Sequence, residues 1–333
     1  MKHAALKRNM IKWGLLGVAR GINKTPRVLF YHGVDHIINP LIQTLHISPD
    51  IFYEEMLYLA KYYEVISMDE YYRRWKEGNF KGKEVVVTFD DGYKNNLTVA
   101  APILESLNIP FTVFVSVNHI DKGKFFPTFT NRVVLLDKSV KRIRIDCLDM
   151  DVTFHSDGQR RELLSELNYT LKHSCIEKVN LISEQLMRNL SDERINDIFR
   201  EYSSDMPMNW EELVELTKVT GCTIGSHCLD HFICNSYQTQ DETRNQIMES
   251  RRVIREKLNV NCDYLAYPNG NIPQGDITGY AKKTVEDAGY KMAFTTMPQR
   301  LNKNSDPYLL PRCAARFELI DFKVKLALKP GFR

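Results

Sequence analysis

The stretch Glu84-Val-Val-Val-Thr-Phe-Asp-Asp-Gly-Tyr93 predicts both the fold class and the position of a site. Its three consecutive valines are β-branched and show no polar alternation, which is typical of a strand buried on both faces of a sheet. The strand runs directly into two adjacent carboxylates, Asp90 and Asp91. Asp-Gly is a common turn pair, but α/β folds also place their active sites at the carboxyl ends of buried strands. Two carboxylates this close repel each other, so we expect a cationic group beside them.

The composition limits the class of protein. A chain of 333 residues with 43% hydrophobic and 26% charged residues is long enough for one large α/β domain or two small ones. The net charge of +3 is too small to indicate a nucleic acid or an anionic membrane as the partner. The seven cysteines are irregularly spaced, which suggests reduced thiols.

The N-terminal segment Met1 to Arg20 makes a poor secretory signal. Its apolar part, Trp13-Gly-Leu-Leu-Gly-Val-Ala19, is short and is followed directly by an arginine. We therefore expect a cytoplasmic protein with no membrane-spanning helix, because no apolar run reaches the length of a span. A plain first helix is favoured here, and an amphipathic helix in peripheral contact with a membrane is the alternative.

Strand and helix patterns alternate along most of the chain. Predicted strands lie at 27–33, 63–66, 85–87, 111–117, 222–226, 263–267, 292–296 and 309–315. Helical patterns separate them, and two begin with capping-box sequences, at Ser67 and at Thr239. This order favours parallel strands with right-handed crossovers. It predicts an α/β fold that closes into a (β/α) barrel, with a doubly wound sheet as the alternative.

The alternation stops between about Asp121 and Pro207. Residues 141–146 and 151–154 are predicted to pair as a hairpin, and residues 160–172 and 176–189 are predicted to be helical. We interpret this segment as a mainly helical insertion that packs over one end of the barrel. The whole chain, 1–333, is then a single catalytic domain rather than two.

Two histidines follow the strand at 222–226, in Gly225-Ser-His-Cys-Leu-Asp-His231. If His227 and His231 lie on one helical turn, they share a face and both imidazoles reach one ion. Together with one carboxylate they give a three-ligand site with positions left for water, as in catalytic zinc sites. The same ligands suit a non-haem iron oxygenase, but the adjacent aspartates and the lack of a β-sandwich pattern argue against that class.

Two of these motifs carry a family resemblance. Thr88-Phe-Asp-Asp-Gly-Tyr93 and Ser226-His-Cys-Leu-Asp-His231 resemble the first two motifs of polysaccharide deacetylases, also called carbohydrate esterase family 4 or the NodB-homology fold. The resemblance covers about 27–118 and 208–316 and leaves the insertion outside. It implies a distorted (β/α)7 barrel that removes acetyl groups from N-acetylated oligo- or polysaccharides.

The resemblance also implies the roles of individual residues. It makes Asp91, His227 and His231 ligands of a divalent metal ion, for which we expect zinc. It makes Asp90 the general base. The motif positions at Tyr93, Tyr267 and Pro268 become candidate substrate-binding residues.

Two family motifs are altered in this chain. No histidine follows His231, although many family members carry a late Leu-x-His whose histidine is the general acid. Phe30-Tyr-His-Gly-Val34 resembles instead the poly-N-acetylglucosamine deacetylase branch, where an early histidine has this role, so His32 is the candidate acid. The family's Arg-x-Pro-Tyr motif is replaced by Ala266-Tyr-Pro-Asn-Gly270, and Arg312 is the candidate for the missing base-orienting arginine.

The sequence thus predicts a metal-dependent glycan N-deacetylase. One alternative is an amidohydrolase of the same fold that acts on a non-sugar amide. Another is an inactive carbohydrate-binding relative, which the missing late histidine favours slightly. The intact set of aspartates and histidines at the strand ends argues against an inactive protein.

Overall fold

The valine-rich stretch forms a fully buried central strand in the computed structural model of the chain, which describes residues 15–302, 304–315 and 318–328. The strands are β1 (Arg27–Tyr31), β2 (Gly33–Val34), β3 (His46–Ile47), β4 (Glu64–Val65), β5 (Glu84–Phe89), β6 (Phe111–Val115), β7 (Arg142–Ile145), β8 (Met150–Thr153), β9 (Cys222–Ser226), β10 (Tyr264–Ala266), β11 (Met292–Phe294) and β12 (Cys313–Ala314). The helices are α1 (Leu15–Ile22), α2 (Pro49–Tyr62), α3 (Met68–Glu77), α4 (Ala101–Ser106), α5 (Val117–Lys122), α6 (Pro127–Leu136), α7 (Asp157–Lys172), α8 (Ile176–Met187), α9 (Asp192–Glu201), α10 (Trp210–Lys218), α11 (Gln240–Leu258), α12 (Gly279–Asp287) and α13 (Leu319–Ala327).

The main sheet is parallel and curls into a half-barrel. Its strand order is β11-β10-β9-β6-β5-β1-β12, with β4 also paired to β5. Hydrophobic side chains from the strands pack against the surrounding helices, because both faces of a parallel sheet are covered. The arrangement confirms the predicted distorted barrel over the doubly wound alternative.

A single segment connects the two edges of this sheet. Leu310 forms a parallel bridge with Phe294 of β11, and Cys313 and Ala314 pair with β1. The predicted last strand at 309–315 is therefore not one continuous strand. It makes two short backbone pairings, one with β11 and one with β1. We call this segment, residues 307–314, the seam.

The predicted capping sequences begin helices in the structure. The Ser67 hydroxyl accepts a hydrogen bond from the Glu70 amide at the start of α3, and the Thr239 hydroxyl accepts one from the Glu242 amide at the start of α11. Each bond satisfies an amide that has no partner within the helix. Both predicted helix starts are confirmed.

The insertion has a hydrophobic cluster of its own. The predicted hairpin is confirmed as the antiparallel pair β7 and β8, and the two predicted helices are found as α7 and α8. Leu135, Ile143, Leu167, Ile182 and Leu186 are buried together between the hairpin and these helices. Helices α6 and α9 were not predicted, and they complete the layer that covers one side of the barrel's mouth.

Among the described residues, no helix is both long and apolar enough to cross a membrane. Residues 1–14, the larger part of the segment considered for peripheral membrane contact, lie outside the described residues. That contact stays a prediction.

Candidate active site

A cavity of about 420 Å³ lies at the carboxyl ends of the barrel strands. The barrel side of its lining contains five of the nine candidate site residues from the sequence, which are His32, Asp90, Asp91, His227 and His231. The insertion supplies the opposite side, with Phe126, Asn168, Lys172 and Val179 among its residues. The fold therefore brings together residues that are far apart in the chain.

Arg312 of the seam holds the carboxylate of Asp90. Its two terminal nitrogens donate to the two oxygens of Asp90 at 2.6 and 2.8 Å, while its Nε donates to the carbonyl of Thr295. Arg312 is fully buried and Asp90 is 2% exposed. Burial alone would raise the pKa of Asp90, but the charge of Arg312 outweighs it and the pKa is about 2. The cation expected beside the two aspartates is therefore Arg312, and Asp90 stays ionised.

Asp91 points instead toward the two histidines. Its Oδ1 lies 3.7 Å from Nε2 of His227 and 3.5 Å from Nε2 of His231. The ligand atoms of the three residues all lie within 4.8 Å of one another. Oδ1 of Asp91 is buried and makes no hydrogen bond, and burial raises the pKa of this carboxyl to about 6. A buried oxygen without a partner is costly unless a ligand satisfies it.

The donor set fits a divalent cation. Nδ1 of His227 lies 2.7 Å from the carbonyl oxygen of Ala266, so it is the protonated nitrogen and Nε2 keeps its lone pair. Burial lowers the pKa of His227 to about 3 and that of His231 to about 4, which keeps both rings in the neutral form that binds metal. Two imidazoles and one carboxylate leave coordination positions for water or substrate.

The spacing predicts that the two histidines lie on one helical turn, and this prediction is wrong. They flank a turn after β9 in which Cys228 and His231 have φ values of 63° and 51°. The side-chain oxygen of Gln246 in α11 accepts hydrogen bonds from the amides of Leu229 and Asp230, both at 3.0 Å. A tertiary contact therefore replaces the hydrogen bonds of a helix, and the loop still directs both imidazoles to Asp91.

The turn after β5 requires its glycine. Asp91 and Gly92 both have positive φ, 73° and 71°. A Cβ at Gly92 would lie 2.8 Å from Cγ1 of Val115, so both the conformation and the space favour glycine. This tight turn lets adjacent carboxylates point at different partners.

His32 lies at the end of β1 and lines the same cavity. Its carbonyl accepts a hydrogen bond from Asn96 at 2.7 Å. The next residue, Gly33, packs on the imidazole of His46, where a Cβ would come within 2.2 Å of Nε2. His46 is in turn 2.5 Å from Asp205 of the insertion and 3.2 Å from Asn95.

This support was missed from the sequence, which gave His46 only a structural or surface role and gave Asp205 none. The one local signal was Gly33, directly after His32, because a residue without a side chain lets the ring of another residue pack closely on the backbone. The partner that makes that approach is distant in the chain and was not visible in any motif.

The three candidate substrate-binding residues do not line the cavity. Tyr93 is 2% exposed, packs against His46 and Phe126, and hydrogen-bonds to Asp91. Tyr267 is fully buried in the barrel core, and its neighbour Pro268 is buried as well. Their positions lend no support to direct contact with a substrate.

Asn269, which directly follows Pro268, and Thr296 line the cavity instead of the three predicted residues. Tyr93 does not reach the cavity because its ring is enclosed by Phe126 of the insertion, and the motif gives no sign of that contact. Tyr267 ends a strand with its side chain on the core side, where the apolar ring is covered.

A curled parallel half-barrel with a carboxylate and two imidazoles at its strand ends is a NodB-type α/β fold. The profile of the family described as polysaccharide deacetylase matches residues 77–293, which is more than half of the chain. The chain therefore belongs to the polysaccharide deacetylase family. No curated protein sequence matches it.

Solved structures share this fold. The Streptococcus pyogenes deacetylase PplD, in complex with acetate, is 16% identical with a TM-score of 0.59, covering 91% of this chain and 98% of that one. IcaB from Ammonifex degensii has the same identity and TM-score and covers 91% and 97%. The BpsB deacetylase domain from Bordetella bronchiseptica is 15% identical with a TM-score of 0.50, covering 88% and 96%. At these identities the comparison shows the fold alone.

Proposed function

We propose that this chain is a metal-dependent hydrolase that removes N-acetyl groups from an N-acetylated sugar of a polysaccharide or glycoconjugate. One observation carries the proposal. A carboxylate held ionised by a buried arginine lies next to a second carboxylate that, with two neutral imidazoles, forms a cation site in the same cavity. Membership of the polysaccharide deacetylase family supports the sugar as the substrate class.

Amide hydrolysis needs an activated water and a polarised carbonyl. A divalent ion held by Asp91, His227 and His231, for which we propose zinc, would supply both. Asp90 accepts the proton from the attacking water at its carboxylate oxygen. A carboxylate of such low pKa is a weak base, so it takes a proton only from a water that is already strongly polarised. The work of Asp90 therefore depends on the adjacent cation site.

Arg312 fixes the geometry of this base. Its two parallel hydrogen bonds prevent the carboxylate from rotating, which a single contact would not do. We propose that it replaces the arginine absent from the altered family motif.

The leaving amine must be protonated at nitrogen before the carbon–nitrogen bond breaks. We propose His32 as the acid, because it lines the same cavity and an imidazole donates a proton near neutral pH. The hydrogen bond from Asn96 and the packing of His46 against Gly33 hold its backbone in place.

Acetate release tests the function. The purified protein is incubated with zinc and a panel of N-acetylated oligosaccharides, alongside N-acetylated amino acids and peptides as non-sugar amides. We expect acetate only from the sugars, and release at least about 100-fold slower with Asp90→Asn. Release from the non-sugar amides alone would identify an amidohydrolase of another substrate class, and sugar binding without release would identify a carbohydrate-binding relative.

A further inference from the structure

A second cavity, of about 430 Å³, lies beside the catalytic one. The segment Phe125 to Thr128, which includes the first two residues of α6, forms the wall between the two. Phe126 and Thr128 line the catalytic cavity, Phe125 lines the second one, and Pro127 lines both. The two spaces are thus neighbours on opposite sides of one short piece of chain.

Helix α8 runs along both cavities with one face. Ile176 and Val179 line the catalytic cavity, and the second cavity is lined by the α8 residues Asn180, Ser183, Glu184 and Met187. These positions repeat at intervals of three and four, so they form a single stripe along the helix. The stripe is roughly 16 Å long at 1.5 Å per residue. One face of the same helix therefore contributes to the lining of both cavities.

The lining of the second cavity suits a neutral polar ligand. Its charged side chains are two lysines, Lys122 and Lys124, and two acids, Glu184 and Asp230, so its formal charge balances. Lys122 lies 3.7 Å from Asp230, which satisfies part of each charge. The remaining polar groups are amides, hydroxyls and the imidazole of His119, and they lie beside apolar surfaces. The lining includes Asn118, Thr130, Asn180, Ser183, Met187 and Phe199. Hydroxyl groups and apolar ring faces of a sugar match this mixture, whereas a phosphate would require an excess of cations.

The mouth of the second cavity is open to solvent. Lys122, Lys124, Asn180 and Glu184 are all exposed. The second cavity can therefore be entered from solvent, so a glycan chain need not pass through the wall formed by Phe125 to Thr128.

We infer that the second cavity binds further units of the same glycan chain whose N-acetyl group is hydrolysed in the catalytic cavity. The inference rests on the proposed function and narrows it to a substrate of several sugar units. The ligand is the continuation of the substrate because the two cavities share Pro127 and one face of α8.

A length series measures this directly. kcat/KM for acetate release is determined with a dimer and a hexamer of N-acetylglucosamine, in both β-1,4- and β-1,6-linked forms. We expect the hexamer to exceed the dimer by about tenfold or more in the preferred linkage, since contacts remote from the reacting amide contribute to kcat/KM. Asn180→Trp fills the second cavity from an exposed position and should remove most of that advantage. Ser183→Trp, one helical turn further on, should act in the same direction.

Lys178→Trp is the matched control. Lys178 is also exposed on α8 and lines neither cavity, so the same bulky residue there should leave the ratio of hexamer to dimer as in the wild type. Circular dichroism melts verify that all three variants are folded. A wild type without length dependence, or tryptophan variants that keep it, would overturn the inference while acetate release still supported the proposed function.

Binding separates the two proposals if no oligomer releases acetate. Calorimetric titration of the hexamer into wild type and Asn180→Trp then decides. Binding that the tryptophan abolishes keeps the second cavity as a glycan site although the reaction is refuted. An absence of binding to the wild type refutes the cavity as well.

Discussion

The two walls of the catalytic cavity differ in how their residues are held. On the barrel wall, Asp90, Asp91 and His227 are each 2–4% exposed. Asp90 and His227 are hydrogen-bonded to other elements, at Arg312 and at the carbonyl of Ala266. On the insertion wall, the polar residues Asn168 and Lys172 are half-buried, and the buried lining residues Phe126, Leu171 and Ile176 are apolar. The comparison suggests that the barrel wall performs the chemistry and that the insertion wall selects the substrate.

A finer contrast lies within the barrel wall. Asp90 and Asp91 are neighbours in the chain, yet one has a pKa of about 2 beside Arg312 and the other a pKa of about 6 beside neutral imidazoles. Their environments, rather than their residue type, separate the proposed proton acceptor from the proposed cation ligand.

Asp90→Asn and Asp91→Asn should impair the barrel wall differently, the first in turnover and the second in metal binding. Asp90→Asn removes the proton acceptor and should lower kcat toward the upper end of the roughly 10²–10⁴-fold range of general acid–base catalysis, with metal still bound. Asp91→Asn and His227→Ala should instead lower the metal content, which elemental analysis of the purified proteins measures against an expected one ion per wild-type chain. If Asp90→Asn loses metal and Asp91→Asn keeps it, the two carboxylates are reversed.

His32→Ala should affect amides more than activated esters. Loss of the acid lowers amide hydrolysis by roughly 10²–10⁴-fold, because the amine cannot leave unprotonated. An aryl acetate should be affected much less, since its phenolate leaves without a proton, and metal content should match the wild type. Equal loss of both activities with metal retained would assign His32 to binding or structure.

Arg312→Lys sharpens the role of the seam. Lysine keeps the charge but not the two parallel hydrogen bonds, so we expect a loss of roughly 10–100-fold in kcat, the usual effect of removing an orienting partner. Weaker pairing also raises the pKa of Asp90 from about 2, so the acidic limb of the kcat profile should move to higher pH. A profile that does not move would mean that Arg312 contributes only to folding.

Lys172→Ala tests the insertion wall and should have the smallest effect. Lys172 lines the cavity and lies 3.4 Å from Asp276. Its loss removes a contact made equally in the ground and transition states, so KM should rise by about three- to tenfold while kcat and metal content stay constant. A fall in kcat comparable to that of the Arg312 variant would contradict the division between the walls.

The parts predicted correctly from the sequence depend on local chemistry. The β5 strand is a run of β-branched residues, and the helices at Ser67 and Thr239 begin with capping residues, so neighbours in the chain carry the signal. That a cation lies beside Asp90 followed from electrostatics, because a buried pair of carboxylates requires one, whereas Arg312 itself was named only through the family resemblance.

The parts that were wrong or missed depend on distant contacts. The loop from His227 to His231 is shaped by Gln246, and spacing alone could not separate a helical turn from a loop that aims the same two rings. Tyr93 is covered by Phe126 of the insertion, and Asp205 reaches His46 from the other end of that insertion. Such contacts are set by how the insertion packs, which no periodic pattern in its sequence encodes.

The seam is synthesised late, so the site around Asp90 is completed only near the end of translation. Strands β5 and β9 and their site residues leave the ribosome well before residues 307–314. Until those residues join β11 to β1, Asp90 has no guanidinium beside it, and a buried carboxylate without a counter-ion opposes compaction. Closure of the barrel and the pairing of Asp90 with Arg312 are therefore one event, and a nascent chain arrested before Arg312 contains Asp91, His227 and His231 but no guanidinium to orient Asp90.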